Sequence, residues 1–351
     1  MSLTAIGTPF LVLEYRISSI FQLKRDANMT LNNIQPKPIT SNIVILLAVC
    51  NGIKWLPVQL KSILDQSFVK LDIYISVDVS TDGSLEWLIG ESENDSRIHI
   101  LPYGQKYGCA SINFYRLLRD TDIHDFQFIA FSDQDDIWFI NKLNRAINIM
   151  ETFGYDGYSS DVIAFWDSGK IKYLKKSNSQ RLFDYLFEGA GPGCSIVMTY
   201  DLAHSLKQAI LNNWYIANEI DWHDWLAYAF ARANDFPWYI DNKPSLLYRQ
   251  HSSNQIGMNN GIKAFFKRAN NIINGYGFSQ SQKIARVTGA WENKTVRRYL
   301  SGTRCSIVSL MLRPHHFRRS LRDRFLFILA CLAMILCVNS SSLKDLNKQR
   351  W

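Results

Sequence analysis

Phe126-Gln-Phe-Ile-Ala-Phe-Ser-Asp133-Gln134-Asp135-Asp136 sets an apolar run, Phe128 to Phe131, directly before three carboxylates within four positions. A run this short, this apolar and this rich in Phe reads as a buried central strand rather than a surface helix. The carboxylates then emerge at the strand's C-terminal edge, where open α/β sheets place their ligands. Crowding Asp133, Asp135 and Asp136 together costs Coulombic repulsion unless a cation or a donor-rich ligand offsets it. Oxygen-rich sites of this kind suit Mg²⁺ or Mn²⁺, which share their coordination sphere with substrate phosphates. The same residues also fit a turn and a helix cap, with Asp136 capping a segment from Ile137 to Met150. The flanking sequence decides between the two.

Outward from that stretch, strand and helix patterns alternate. Ile43 to Val49 is a strand buried on both faces, turned by Asn51-Gly52, and Trp55, Leu56, Leu60, Ile63 and Leu64 recur at helical spacing. Leu71 to Val77 is a second strand ending in Asp78, and Ser80-Thr-Asp82-Gly-Ser-Leu-Glu86 opens a second helix. Ile98 to Leu101 predicts a third strand, and Gly108 to Leu118 a third helix. Val162–Trp166 and Lys170–Leu174 flank Asp167-Ser-Gly as a hairpin, and Cys194 to Met198 is strand-like. Helical spacing returns at Leu202–Leu211 and at Ile220–Ala231, followed by strands at Phe236–Ile240 and Ser245–Arg249. Regular alternation predicts an α/β fold, a mainly parallel central sheet flanked by helices with right-handed crossovers.

Composition bounds the function. With 351 residues, 47% of them apolar, the chain can bury one large core or two smaller ones. Its six cysteines are scattered with no CxxC pair, which fits a reducing compartment and argues against a structural zinc. The net charge of +8 is concentrated: from Lys263 to Arg324 there are fourteen Lys or Arg and only Glu292 and Asp323 in opposition. The first forty residues are irregular and show no secretory pattern. No GxGxxG follows the first strand and no GxxxxGK[ST] occurs anywhere, which disfavours dinucleotide dehydrogenases and P-loop NTPases. A bound nucleotide would have to be held by carboxylates and a metal.

Several short motifs in order resemble the family 2 glycosyltransferases, which have the GT-A fold. Ile45-Leu-Leu-Ala-Val-Cys-Asn51-Gly52 is similar to that family's opening strand and turn, and Ser76-Val-Asp78-Val-Ser80-Thr81-Asp82-Gly83-Ser84 to its nucleotide-contacting loop. Ser132-Asp133-Gln134-Asp135-Asp136-Ile137-Trp138 resembles its DxD-type metal motif as found in rhamnosyltransferase-like members. Gly193-Cys194, His223-Asp224-Trp225 and Tyr248-Arg249-Gln250-His251 follow in the expected order. Val77 stands where many members carry an acid and Val79 where many carry Gly, leaving Asp78 as the acid before Ser-Thr-Asp.

The resemblance implies roles. Asn51 and Asp78 contact the nucleotide, with Asp78 accepting from a pyrimidine; Asp133 holds the ribose or metal-bound water; Asp135 binds Mg²⁺ or Mn²⁺. His251 reaches the metal or the diphosphate, Arg249 the nucleotide sugar, and Asp224 is the general base on the acceptor hydroxyl. Trp222 and Trp225 are placed to stack on a sugar or to pack in the core. The implied activity is inverting, metal-dependent transfer from a nucleoside-diphosphate sugar, dTDP-rhamnose or a UDP-sugar, to a growing surface glycan, free or lipid-linked. A sugar nucleotidyltransferase would want a Gly-rich loop after strand one, and a non-catalytic sugar-binding scaffold would not need the base.

The reading divides the chain into an irregular extension (1–41), a GT-A domain (42–257) and a basic helical C-terminal region (258–351). Phe325 to Val338 is a fourteen-residue apolar run, short of the ~20 residues a bilayer span needs. Together with the basic stretch before it, the run resembles a peripheral anchor on an anionic leaflet, the cytoplasmic face of an inner membrane. A core or partner-binding helix is the other reading. No nucleic-acid motif accompanies the basic charge, so no nucleic-acid partner is expected.

Overall fold

The computed structural model describes residues 41–251 and 275–337. The extension up to residue 40, the expected boundary at 257 and the last residue of the apolar run, Val338, lie outside the described residues.

Eleven strands form two sheets among the described residues. In the first half β1 (Asn42–Val49), α1 (Leu56–Leu64), β2 (Lys70–Val77), α2 (Ser84–Asn94), β3 (Ile98–Ile100), α3 (Ala110–Asp120) and β4 (Phe128–Ser132) alternate as expected. Then come β5 (Ile137–Trp138), α4 (Lys142–Phe153), β6 (Gly157–Ser160), β7 (Val162–Trp166), β8 (Ile171–Leu174) and β9 (Val197–Thr199). The first unit closes with α5 (Tyr200–Asn212), α6 (Trp214–Ala217), α7 (His223–Ala233), β10 (Trp238–Asp241) and β11 (Leu246–Gln250). The C-terminal unit is helical: α8 (Tyr276–Val287), α9 (Lys294–Tyr299), α10 (Arg304–Met311), α11 (Pro314–Phe317) and α12 (Leu321–Cys337).

The main sheet has seven strands in the order β10-β6-β9-β4-β1-β2-β3, parallel except for β9, which runs antiparallel between β4 and β6. Strand β1 pairs with both β2 and β4 in parallel, with Val49 opposite Val77 and Leu47 opposite Ser132. One register therefore delivers Asn51, Asp78 and Asp133 to the same sheet edge. The expected buried central strand is present: Phe128 to Ser132 are all buried, as are seven of the eight residues of β1.

The helix expected from Ile137 to Met150 begins later, at Lys142. Ile137 and Trp138 instead pair antiparallel with Leu247 and Leu246, founding a second sheet, β5-β11-β7-β8. Asp136 is thus not a helix cap. The hairpin read at 162–174 is β7–β8, whereas β6, Gly-Tyr-Ser-Ser, carries no apolar alternation and was not anticipated.

Candidate active site

Two antiparallel returns complete the edge where the parallel strands end. Strand β9 pairs Val197 with Ala130, and the tight turn Gly193–Ser195 just before it sets Cys194 beside Asp133. Ligand atoms of Asp133, Asp136 and Cys194 lie within 4.8 Å of one another. Strand β11 returns along β5 and carries Arg249 and His251 back to the carboxylates. His251 Nε2 lies 2.7 Å from Asp135 Oδ2, and the imidazole stacks on Trp55 at 4.0 Å. The Arg249 amide donates to Asp136 Oδ1 (3.1 Å) and its Nε to the Asp135 carbonyl (2.8 Å).

The electrostatics of the cluster follow from its crowding. Burial, then the negative charges of Asp135 and Asp224, push Asp133 up to about 7. Burial, then Asp135 and Asp133, hold Asp136 well above the carboxylate range. Asp136 Oδ2 is buried with no hydrogen-bond partner among the described residues. Asp133 and Asp136, both raised by burial and neighbouring negative charge, and the orphaned oxygen of Asp136 form a donor set that a dication would stabilise in its ionised form. Asp133, Asp135 and His251 would supply oxygen and nitrogen ligands of the kind Mg²⁺ or Mn²⁺ takes. Burial raises the Cys194 thiol well above its ordinary value, and a neutral thiol is a poor ligand for these hard ions, so Cys194 serves as packing.

At the nucleotide end the turn after β1 is clipped from two sides. Gln134 Oε1 accepts from Cys50 N (2.7 Å) while its Nε2 donates to Cys50 O (2.9 Å), as a strand neighbour would. A Cβ on Gly52 would lie 2.5 Å from Gln134 Oε1, so only glycine admits this clip. Asn51, left-handed at φ 48°, accepts at Oδ1 from Thr81 N (2.8 Å). Asp78 is buried and takes three backbone amides, Val79, Tyr107 and Gly108, at 2.7–2.8 Å. Asp78 therefore anchors the 102–108 segment over the cavity as well as facing it.

Across the cavity, α7 starts on the motif His223-Asp224-Trp225. Asp224 sits in the first turn and accepts at Oδ1 from Trp225 N (2.8 Å). Burial pushes its carboxyl up to about 6 despite that amide. His223 stacks on Phe114 at 3.8 Å, and burial drives it down to about 3, so it is neutral. A Cβ on Gly193 would meet His223 Nε2 at 2.3 Å, which accounts for the glycine beside Cys194. The Trp225 indole donates to Tyr185 O (2.7 Å) and is largely buried in the core; Trp222 lies 5.5 Å from it, and both border the cavity.

One cavity of about 1110 Å³ is lined by Asn51, Asp78, Asp133, Asp135, Asp224 and His251 together. Arg249 is the exception: it lies behind the carboxylate loop, over the Phe165 ring at 4.5 Å and 3.5 Å from Asp167. One feature escaped the sequence reading: part of the cavity wall comes from the C-terminal helices, with Ile307, Leu310, Phe327, Ala330, Cys331 and Met334 on the cavity. Nothing local flags it.

Comparison with known proteins agrees with this fold. The sequence model of glycosyl transferase family 2 matches residues 44–200. The dTDP-rhamnosyl transferase RfbG of Shigella flexneri is 44% identical over 241 residues, 68% of this chain and 83% of that protein. The UDP-Glc:alpha-D-GlcNAc-diphosphoundecaprenol beta-1,3-glucosyltransferase WfgD of Escherichia coli is 26% identical over 196 residues, 53% of this chain and 68% of its own. Among solved structures, residues 1–349 of S. aureus TarS with UDP-GlcNAc align at a TM-score of 0.50 and 11% identity, covering 88% of this chain and 92% of that one. That likeness is one of fold. The ordered motifs, the sheet edge they share and the close relative make this chain a member of the family 2 glycosyltransferases, of the rhamnosyltransferase-like kind.

Proposed function

We propose that this glycosyltransferase moves a sugar from a nucleoside-diphosphate donor, dTDP-rhamnose first among the candidates, to a hydroxyl of a growing surface glycan, with inversion. The observation that carries the reading is one cavity with the carboxylate cluster on one side and Asp224 on the other. The 44% identity to a dTDP-rhamnosyl transferase favours the donor. The Escherichia coli relative, named for a diphosphoundecaprenol-linked acceptor, favours a lipid-linked one.

Asn51 and Asp78 hold the nucleoside end, Asp78 with the lone pairs its three amides leave and through the loop it anchors. Mg²⁺ or Mn²⁺ held by Asp133, Asp135 and His251 would supply Lewis-acid neutralisation of the leaving diphosphate. Arg249 fixes that loop by donating to the Asp135 carbonyl. Asp224 takes the proton of the acceptor hydroxyl as its oxygen bonds to the anomeric carbon. The bond to the diphosphate breaks with its electron pair leaving on that group, so one displacement inverts the centre. A carboxyl near 6 is poised for this at neutral pH: ionised, yet basic enough to accept a proton. A hydrolase reading would need two acids flanking a glycosidic bond, whereas here the acids crowd together.

Among the described residues no helix is long and apolar enough to cross a membrane. Helix α12 nevertheless exposes Leu321, Phe325, Leu329, Leu332 and Leu336 along one stripe, with Arg322 exposed beside them. This supports peripheral attachment to an anionic leaflet. Purified protein offered a panel of nucleotide sugars with Mn²⁺ should release dTDP from dTDP-rhamnose, and acceptor should accelerate the release. Turnover of UDP-sugars alone would overturn the donor assignment, and a product of retained configuration would overturn the mechanism.

A further inference from the structure

We infer that the inward face of α12, with α10 behind it, is a subsite for the polyisoprenoid chain of a diphosphate-linked acceptor. The inference rests on the glycosyl-transfer reading above and says where the acceptor's lipid runs. The catalytic cavity is larger than the ~300–1,000 Å³ usual for a single ligand pocket, at about 1110 Å³. Its two ends differ in chemistry. Asn51, Asp78, Asp133 and Asp135 meet the needs of nucleoside, diphosphate and sugar at one end. The other end is apolar: Ile307, Leu310, Phe327, Ala330, Cys331 and Met334. Saccharide hydroxyls buried against such a wall would lose their hydrogen bonds to water without replacement, so the wall suits hydrocarbon.

The helix that makes the wall is apolar on both sides. Phe327, Cys331 and Met334 recur at helical spacing on the cavity, while Leu321, Phe325, Leu329, Leu332 and Leu336 form the outward stripe. A helix apolar all round belongs in surroundings that are apolar all round. A leaflet under the outward stripe, and a chain leaving that leaflet along the inward one, would cover both faces. The charges agree with an acidic lipid: Arg304, Arg313 and Arg322 are exposed around α10 and α12, and Arg318 borders the cavity. The wall is tied to the catalytic half. Arg318 donates to the Phe187 carbonyl at 2.6 Å, and Gly189, a little further on, packs against the Trp225 backbone. A chain seated on α12 would thus end beside the turn that carries Asp224.

The probe is farnesyl diphosphate with a diazirine at its terminal isoprene, photolysed with the full-length protein and mapped by mass spectrometry. Labels should fall on the inward residues of α10 and α12, and unlabelled farnesyl diphosphate should compete them away. Ala330→Trp, which fills the wall, should weaken farnesyl diphosphate binding at least tenfold by calorimetry while dTDP still binds, the latter reporting a folded protein. Should that variant not fold, the labelling map of the unaltered protein decides alone. Labels confined to the outward stripe, labels at the Cys50–Val79 end, or no saturable binding would each overturn the subsite. Turnover of dTDP-rhamnose in that same preparation would show that only the subsite had failed. No binding of any nucleotide sugar would sink the parent reading instead.

Discussion

Strands β1, β2 and β4 bury their apolar side chains against one another and their covering helices, whereas α12 leaves Leu321 79% and Leu336 81% exposed. The first region is self-sufficient. Its polar residues at the cavity, Asn51, Asp78, Asp133 and Asp135, sit on turns fixed by parallel strand pairing, which suits a site that must hold a charged donor in one geometry. The second region satisfies one helix face within the molecule and leaves the other without a partner among the described residues. Yet the two are not separate bodies. Asp184, fully buried, accepts from Tyr228 (2.9 Å) and Arg232 (3.0 Å) of α7, and Arg319 lies 3.6 Å from it. The Arg319 amide also donates to Glu188 (2.7 Å). The C-terminal unit is latched to the helix that carries Asp224, so the chain divides by chemistry, polar end against apolar end, more than by domain.

The comparison breaks first at the donor end. Asp135→Asn should keep the fold, because removing one charge from a repelling cluster costs little. Metal-dependent transfer should fall by about 10³-fold or more, since Lewis-acid stabilisation contributes several kcal/mol. Full activity of the variant in a Mn²⁺ titration, or of the unaltered protein in excess chelator, would remove the metal from the reading.

Asp224→Asn sharpens the contrast, because a base serves the acceptor and not the donor. Transfer should drop by about 10²–10⁴-fold with nucleotide affinity unchanged. A base must be ionised to act. The kcat/KM of the unaltered enzyme should therefore climb with pH through about 6 and decline below it, and the variant should lack that limb. A surviving inflection near 6 in Asp224→Asn would assign it to another group.

The latch between the regions is open to a stability measurement. Arg319→Ala removes one partner of a buried ionic network, while Arg232 and Tyr228 still hold Asp184. The loss should sit near the lower end of such cases, about 3 kcal/mol, seen as a lower urea midpoint at unchanged slope. A two-step transition would mean that the C-terminal unit unfolds by itself.

The smallest effect concerns the exposed stripe. Arg322→Ser should weaken binding to anionic vesicles by about 1 kcal/mol, roughly fivefold, and added salt should weaken it further. Binding indifferent to both changes would rule out electrostatic attachment.

Much of the donor end was legible in linear sequence because its determinants are local. Strands buried on both faces announce themselves as unbroken apolar runs, and Asp78 and Asp133–Asp136 follow such runs directly in the chain. Asp224 was legible as a motif at a helix start. Other features depend on residues distant in the chain meeting in space. Ile137-Trp138 reads locally as the start of a helix and becomes a strand only because β11 lies alongside. Cys194 joins the carboxylates through the antiparallel insertion of β9. Strand β6 is held by neighbours on both sides, so its own Gly-Tyr-Ser-Ser needs no periodic signal.

Sequence by itself thus determined the alternating α/β core, the acids that crowd at its edge and the basic, apolar character of the C-terminal region, all of which follow from composition and spacing along one segment at a time. Tertiary structure alone decided that α12 walls the catalytic cavity, that Arg319 locks it to Asp184, and that Arg249 stands behind the carboxylate loop rather than on the cavity. The physical reason is range. A hydrophobic run specifies that a segment will be buried, but which surface it is buried against depends on the packing of the whole chain.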